Sequence, residues 1–277
     1  GRGGHSREIL ARLTEQGRLF SIDKDPQAIA AGKQELGSDS RFSITQGSFA
    51  ELGQLARDWG IEGSLDGILF DLGVSSPQLD DPERGFSFME DGPLDMRMDP
   101  TRGVSAAEWL AEANEREISR VLWEFGEERH ARRIARNIVM ARQREPLHRT
   151  SQLAALIEAA IGRRERKHPA TRCFQAIRIW INRELADLAV GLEAAIEQLR
   201  PGGRLVAISF HSLEDRLVKR TFKEAARPGR VRRNIPEHPD LKPRICLIGK
   251  PVRPSESEIS VNPRARSAVM RVAEKLG

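Results

Sequence analysis

Cysteine is nearly absent: among 277 residues only Cys173 and Cys246 occur, far apart and in no metal-ligand spacing. That excludes a disulfide-stapled module, argues against a metal site, and predicts a reducing, cytoplasmic home. Tyrosine is missing and aromatic residues make up 5% of the chain, too few for a surface that stacks many bases. No apolar run approaches the roughly 18 residues that span a bilayer, so no membrane partner is expected. The first residues lack the basic and apolar pattern of a secretory signal, and no internal repeat is visible.

Charge, by contrast, is plentiful. Lys and Arg number 45 against 40 Asp and Glu, a net +5, with the excess bunched in Arg129–Arg144 and Arg227–Arg233. Such bunching favours a polyanionic partner. With hydrophobic residues at 39%, the chain is long enough to bury the core of one large domain or two.

Apolar spacing predicts a helix over His5–Gln16, stopped by Gly17, then a strand over Arg18–Asp23 and a helix from Pro26 to Gly37. A strand at Arg41–Thr45, a helix at Glu51–Trp59 and a strand at Leu65–Asp71 follow. This alternation implies a parallel sheet with right-handed crossovers, whose ligands bind at the carboxyl ends of the strands. Asp23 and Asp71 both stand at such ends. Val74–Arg102, rich in Pro, Gly, Asp and Met, reads as a long functional loop.

From Ser105 to about Leu199 the pattern is helical, with starts at Ser105/Glu108 and Asn114/Glu117 and breaks at Pro146 and Pro169. Leu199–Arg204 reads as a turn into the strand Leu205–Phe210. Ser212 with Asp215 is expected to cap a helix through Ala226, and Arg227–Pro243 to form a basic loop. Arg244–Ile248 and Ser267–Ala273 read as closing strands. The expected division is an α/β domain of residues 1–100 and 199–277 around a helical insertion, 101–198.

Glycines directly before a helix let the backbone approach a ligand, and an acid about 20 residues later can take two ribose hydroxyls. Gly1, Gly3, Gly4 and Asp23 have that arrangement. Two cofactor classes share it. For a dinucleotide, Ser6 stands where the last glycine of the fingerprint belongs. Leu199-Arg-Pro-Gly-Gly-Arg-Leu205 instead resembles the segment before the fifth strand of Rossmann-like S-adenosylmethionine-dependent methyltransferases.

Methyl transfer asks a protein mainly to orient the partners. An exocyclic amine acceptor also needs hydrogen-bond acceptors for its protons. The loop Asp71-Leu-Gly-Val-Ser-Ser-Pro-Gln-Leu-Asp80 fits the amino-methyltransferase pattern in part. Ser76 and Pro77 match, whereas Gln78 and Leu79 replace a proline and an aromatic; Phe86, Phe88 or Phe210 is then left to stack a base. Asp95 and Asp99 flank Arg97, as amine acceptors or as a local ion pair. Arg129, Arg132, Arg133 and Arg136 suit either an RNA face or a solvated one. Trp109, Trp123 and Trp180 read as core.

Six segments resemble, in order, those of the bacterial small-subunit ribosomal RNA cytosine N(4)-methyltransferase family, RsmH/MraW. They are Gly1–Ser6, Asp71–Gln78, Asp91–Asp99, His168–Arg172, Ser209–Arg216 and Asn262–Ser267. The resemblance implies a Rossmann-like class I S-adenosylmethionine-dependent fold with an inserted all-helical domain. The implied substrate is a cytidine in the decoding region of small-subunit ribosomal RNA, naked or in the assembled subunit, methylated on its N(4) amine. For the donor, the resemblance implies Gly3, Gly4 and His5 at its methionine end, Asp23 at its ribose, Phe49 near adenine, and Asp71 and Gln78 in the remaining pocket. Ser76, the Pro77 backbone and Asp95 are the catalytic candidates. Arg97, Arg172, Arg178, His211, Arg216, Arg264 and Arg266 are candidate RNA contacts. Family members carry about thirty further residues before the glycine loop, including a central first strand. Homodimerisation is left open, as are two rivals, an RNA-binding factor without chemistry and a nicotinamide-dependent oxidoreductase.

Overall fold

The computed structural model describes residues 3–162, 168–228 and 242–277. Gly1, Arg2 and most of the expected basic loop therefore lie outside the described residues. The chain runs through α1 (Gly4–Leu10), β1 (Leu19–Asp23), α2 (Pro26–Leu36), β2 (Phe42–Gln46), α3 (Leu52–Asp58) and β3 (Leu65–Asp71). Helices follow: α4 (Ser76–Asp80), α5 (Ala106–Glu112), α6 (Glu115–Gly126), α7 (Ala131–Arg142), α8 (Thr150–Ile161), α9 (Ala170–Ile181) and α10 (Glu184–Gln198). The last stretch comprises β4 (Leu199–Ser209), α11 (Ser212–Ala226), β5 (Ile245–Val252), α12 (Glu256–Val261) and β6 (Val269–Lys275).

The alternation expected up to Asp71 is present, and its local causes are visible. Asp25 accepts a hydrogen bond from the Gln27 N–H while Pro26 occupies the first turn of α2. Ser105 and Glu108 cap α5 reciprocally, and Asn114 accepts from the Glu117 N–H at the start of α6.

Elsewhere the structure corrects the expectation. α1 stops at Leu10 rather than Gln16, because the Arg12 N–H turns to the Ile9 carbonyl and the chain continues in single turns to Gly17. α11 is capped by His211 and Glu214, one residue before the expected Ser212/Asp215 pair. β4 begins at Leu199, which pairs with Leu65, so the Pro-Gly-Gly turn is a bulge within the strand. Gly203 is required there, since a Cβ would lie 2.9 Å from the carbonyl oxygens of both Arg200 and Leu65. The supposed loop Val74–Arg102 contains α4 and a 3-10 turn at Pro82–Arg84. Trp123, expected in the core, is 60% exposed, because α6 buries Ile118, Val121, Leu122 and Gly126 on another face.

Two compact units divide the chain, Gly1–Gly47 with Val74–Glu184 and Ser48–Gly73 with Leu185–Gly277. In the first unit, β1 and β2 form a parallel pair, Leu19 opposite Phe42 through Asp23 opposite Gln46. Leu10, Leu36 and Phe42 make its small core. A larger core joins α5–α9 to Leu94 and Met96. Its center holds Ile118, Leu122, Ile134, Ile138, Leu153 and Ile177, all fully buried. The helices of 106–181 thus share a unit with β1 and β2, a grouping that differs from the expected 1–100/199–277 domain.

The second unit holds a four-stranded sheet in the order β3-β4-β6-β5. β3 and β4 are parallel, whereas β6 runs antiparallel to both β4 and β5. The connection from β3 to β4 contains all of α4–α10. No helix among the described residues is long and apolar enough to cross a membrane.

Candidate active site

In the first unit, the glycine turn, the acid-ended strand and both polar loops can be traced atom by atom. Gly3 has a left-handed backbone, φ 67°, and its carbonyl accepts from the Arg7 N–H at 2.8 Å. Any other residue would be strained there. A Cβ on Gly4 would meet nothing within 4 Å, so open space lies beside the first turn of α1. His5 is exposed in that turn. Asp23 closes β1, and its Oδ1 accepts from the Asp25 N–H at 2.9 Å.

Two residues further on, the Asp25 carboxylate is the hub of a buried network. Its Oδ2 accepts from Gln78 Nε2 and from Arg84 Nη1, each at 2.8 Å. The Asp25 and Arg84 side chains are only 3% and 7% exposed. Gln78 Oε1 takes the Ser75 N–H at 2.8 Å, so this amide fixes the start of α4 with one end and Asp25 with the other. Gln78, expected in the donor pocket, has both functions of its amide engaged. Ser76 is exposed at the first position of α4 and Pro77 follows, half-buried.

Arg84 also carries the network to the second polar loop. Its Nη2 donates to the carbonyls of Arg97 and Met98 at 3.1 and 2.9 Å, while its own carbonyl accepts from the Met96 N–H. Asn182, at the end of α9, donates to the Met96 carbonyl and accepts from the Met98 N–H, both at 2.7 Å. Its carbonyl accepts from Lys24 Nζ at 2.7 Å, and Gln46 at the end of β2 donates to Asp99 at 2.9 Å. Met96 is held buried at φ 63°, in a region few side chains adopt. The loops Ser75–Gln78 and Asp95–Asp99 are therefore braced against the carboxyl ends of β1 and β2.

Asp95 and Arg97 form a bidentate pair, Nε to Oδ1 at 2.9 Å and Nη2 to Oδ2 at 2.6 Å. Burial pushes the Asp95 carboxyl up, but the Arg97 fork and backbone N–H outweigh it and hold the group below the usual range. Asp95 is thus a poor proton acceptor and a good hydrogen-bond acceptor.

At the other end of this loop, the hydroxyl and backbone N–H of Ser151, together with Arg149, hold Asp91 at about 2 rather than the ordinary 3.8. A depressed carboxyl stabilises the fold at pH above its unfolded value, and that contribution disappears as pH falls through the folded one. Asp91→Asn should therefore flatten the loss of stability between about pH 4 and pH 2 relative to the parent. Unfolding curves at stepped pH test this; identical pH slopes in the two proteins would refute it.

In the second unit, Asp71 ends β3 and is exposed. Phe49 stands in a 3-10 turn with its ring edge-on to buried Phe70 at 5.1 Å. His211 Nδ1 accepts from the Glu214 N–H at 3.4 Å, which leaves the hydrogen of a neutral ring on Nε2. That Nε2 lies 3.2 Å from Glu214 Oε1, yet outside hydrogen-bonding geometry, so it is buried beside a carboxylate without a hydrogen-bond partner among the described residues. Glu214 Oε2 accepts from the Phe210 and His211 N–H groups. His211 is therefore built into the turn between β4 and α11 through Glu214.

The remaining cation candidates fall into two kinds. Arg178 is spent on Glu184 in a buried fork, with bonds of 2.7 and 2.8 Å. Arg172, on the first unit's α9, and Arg216, Arg264 and Arg266, in the second unit, are exposed. Phe88 packs on Phe174 in the helical core and Phe86 is buried, which leaves half-buried Phe210 of the three proposed stacking rings.

Sequence reasoning missed Asp25, Arg84, Asn182 and Glu214. Asp25 had a signal in its place before Pro26, where an aspartate caps a helix. The others act across 13 residues or more, or through a cap register that spacing alone left ambiguous.

A family model described as the MraW methylase family matches residues 1–276. The chain is 58% identical over 278 residues to a protein of Xanthomonas euvesicatoria pv. vesicatoria (strain 85-10) named "Ribosomal RNA small subunit methyltransferase H", covering 100% of this chain and 81% of that one. A protein of Xylella fastidiosa (strain M12) with the same name is 58% identical over 282 residues, covering 100% and 89%. One from Stenotrophomonas maltophilia (strain K279a), again so named, is 56% identical over 276 residues, covering 99% and 85%.

Proposed function

Since the chain belongs to the MraW methylase family, we propose that it transfers a methyl group from S-adenosylmethionine to the N(4) amine of a cytidine in the decoding region of small-subunit ribosomal RNA. The match over residues 1–276 carries this reading. The full-length likeness to proteins named as small-subunit ribosomal RNA methyltransferases supports the substrate class. The reading implies a cytoplasmic enzyme. It also takes 101–198 as an all-helical insertion in a Rossmann-like domain of 1–100 and 199–277, supported by the crossover from β3 to β4 that contains those helices.

Open space beside Gly4 and the acid-ended strands fit the donor. By the resemblance, Gly3, Gly4 and His5 would hold its methionine end and Asp23 its ribose, with Phe49 assigned to the adenine and Asp71 to the remainder of the donor. The donor, when bound, supplies an electrophilic methyl group. The protein's own contribution is orientation, since aligned reactants at near-attack distance need little further catalysis. Ser76, the Pro77 carbonyl and Asp95 accept hydrogen bonds from the amine and direct its lone pair. Asp95, held ionised by Arg97, keeps that hydrogen bond without taking the proton, which leaves to solvent. Gln78 acts by fixing the turn that presents Ser76. Transfer of a labelled methyl group to cytidine in unmodified small subunits tests the reading.

A further inference from the structure

The outer face of α11 carries Lys219 and Lys223 one helical turn apart, while Val218, Phe222 and Ala225 bury its other side. Both lysines line a groove of about 160 Å³ shared with Lys250 and Arg271. Lys250 comes from a bulge in the edge strand. Ile248 pairs with Val272 and Val252 with Met270, so Gly249, Lys250 and Pro251 stand opposite Arg271 alone. Gly249 supplies the φ of 66° that the bulge needs, and Pro251 removes an N–H from the sheet edge. Bulges of this kind re-aim a side chain, here one that lines the same groove as the helix lysines.

Three arginines of this unit, by contrast, are paired with acids. Arg271 forks onto Asp215 at 2.7 and 3.0 Å, Arg244 onto Glu193 and Arg204 onto Glu274. Lys219, Lys223 and Lys250 make no hydrogen bond or ion pair among the described residues. Three ammonium groups without a partner among the described residues, around one concavity, repel each other and favour a polyanion. Phe222 lies at the floor of the groove but is only 2% exposed, so the groove offers point charges and no accessible aromatic face, which suits phosphate rather than base recognition.

We propose that this groove binds the sugar-phosphate backbone of the RNA substrate, an inference that rests on the functional reading above. It positions the RNA without reading its sequence.

The test compares Lys219→Glu/Lys223→Glu/Lys250→Glu with a charge-matched control, Arg18→Glu/Lys33→Glu/Arg57→Glu, for binding to small-subunit RNA over a range of salt. The groove variant should lose at least tenfold in affinity beyond the control. Its slope of log affinity against log salt should fall by about 2, from about 0.7 per lost phosphate contact. S-adenosylmethionine affinity should match the parent, which reports an intact fold, and the milder Lys→Gln triple should fall between. RNA affinity and slope equal to the control's, with donor binding intact, would overturn the groove while leaving the functional reading in place. Absence of RNA binding by the unaltered protein would overturn both.

Discussion

Replacing Arg84 by methionine should lower the unfolding free energy by about 3–5 kcal/mol, the usual cost of leaving a buried charge without its partner. Asp25 and Arg84 are almost fully enclosed, and the guanidinium also holds the Arg97 and Met98 carbonyls and Gln27 Oε1. Its removal strands the Asp25 carboxylate and frees the loop around Asp95. The double variant Asp25→Asn/Arg84→Met removes the stranded charge and should regain part of that loss. Denaturant unfolding of the parent, both single variants and the double variant closes the cycle. A single-variant loss below about 1 kcal/mol would mean that the pair does not brace the loops.

Asp23→Ala should weaken S-adenosylmethionine binding by a hundredfold or more. Two hydrogen bonds to a charged carboxylate contribute roughly 1.5 kcal/mol or more each, and about 2.7 kcal/mol corresponds to a hundredfold. Asp23 ends β1, where its Oδ1 accepts from the Asp25 N–H. Asp23→Asn, which keeps the shape and one acceptor, should lose less. Titration calorimetry with the donor measures both. Affinity unchanged in Asp23→Ala would remove the ribose assignment and, with it, the donor site at β1.

Much of the fold could be read from residue order because its causes are local. β1, β2, β3 and α2 follow from the residue pattern, Pro26 marks the first turn of α2, and the side-chain caps Ser105 and Asn114 mark the starts of α5 and α6. What was not legible depends on distant partners. Nothing near Arg84 in the chain foretells that it joins Asp25 to the loop at Met98, since the three are brought together only by folding. The His211/Glu214 cap lost to Ser212/Asp215 on paper because both pairs have the same spacing. Trp123 misled because a large ring suggests burial, whereas its place on α6 faces away from Val121 and Leu122. Of the site, the residue types were legible and the bracing was not: Gln78 and Arg178 were read as ligand contacts, and each is engaged by a carboxylate within the protein.

The central claim is methyl transfer to the cytidine amine. Its most direct measurement incubates the protein with methyl-labelled S-adenosylmethionine and unmodified small ribosomal subunits, digests the RNA to nucleosides and separates them by chromatography. Label in N(4)-methylcytidine is the predicted result. Label in another nucleoside, or none in RNA while the donor binds, would contradict it.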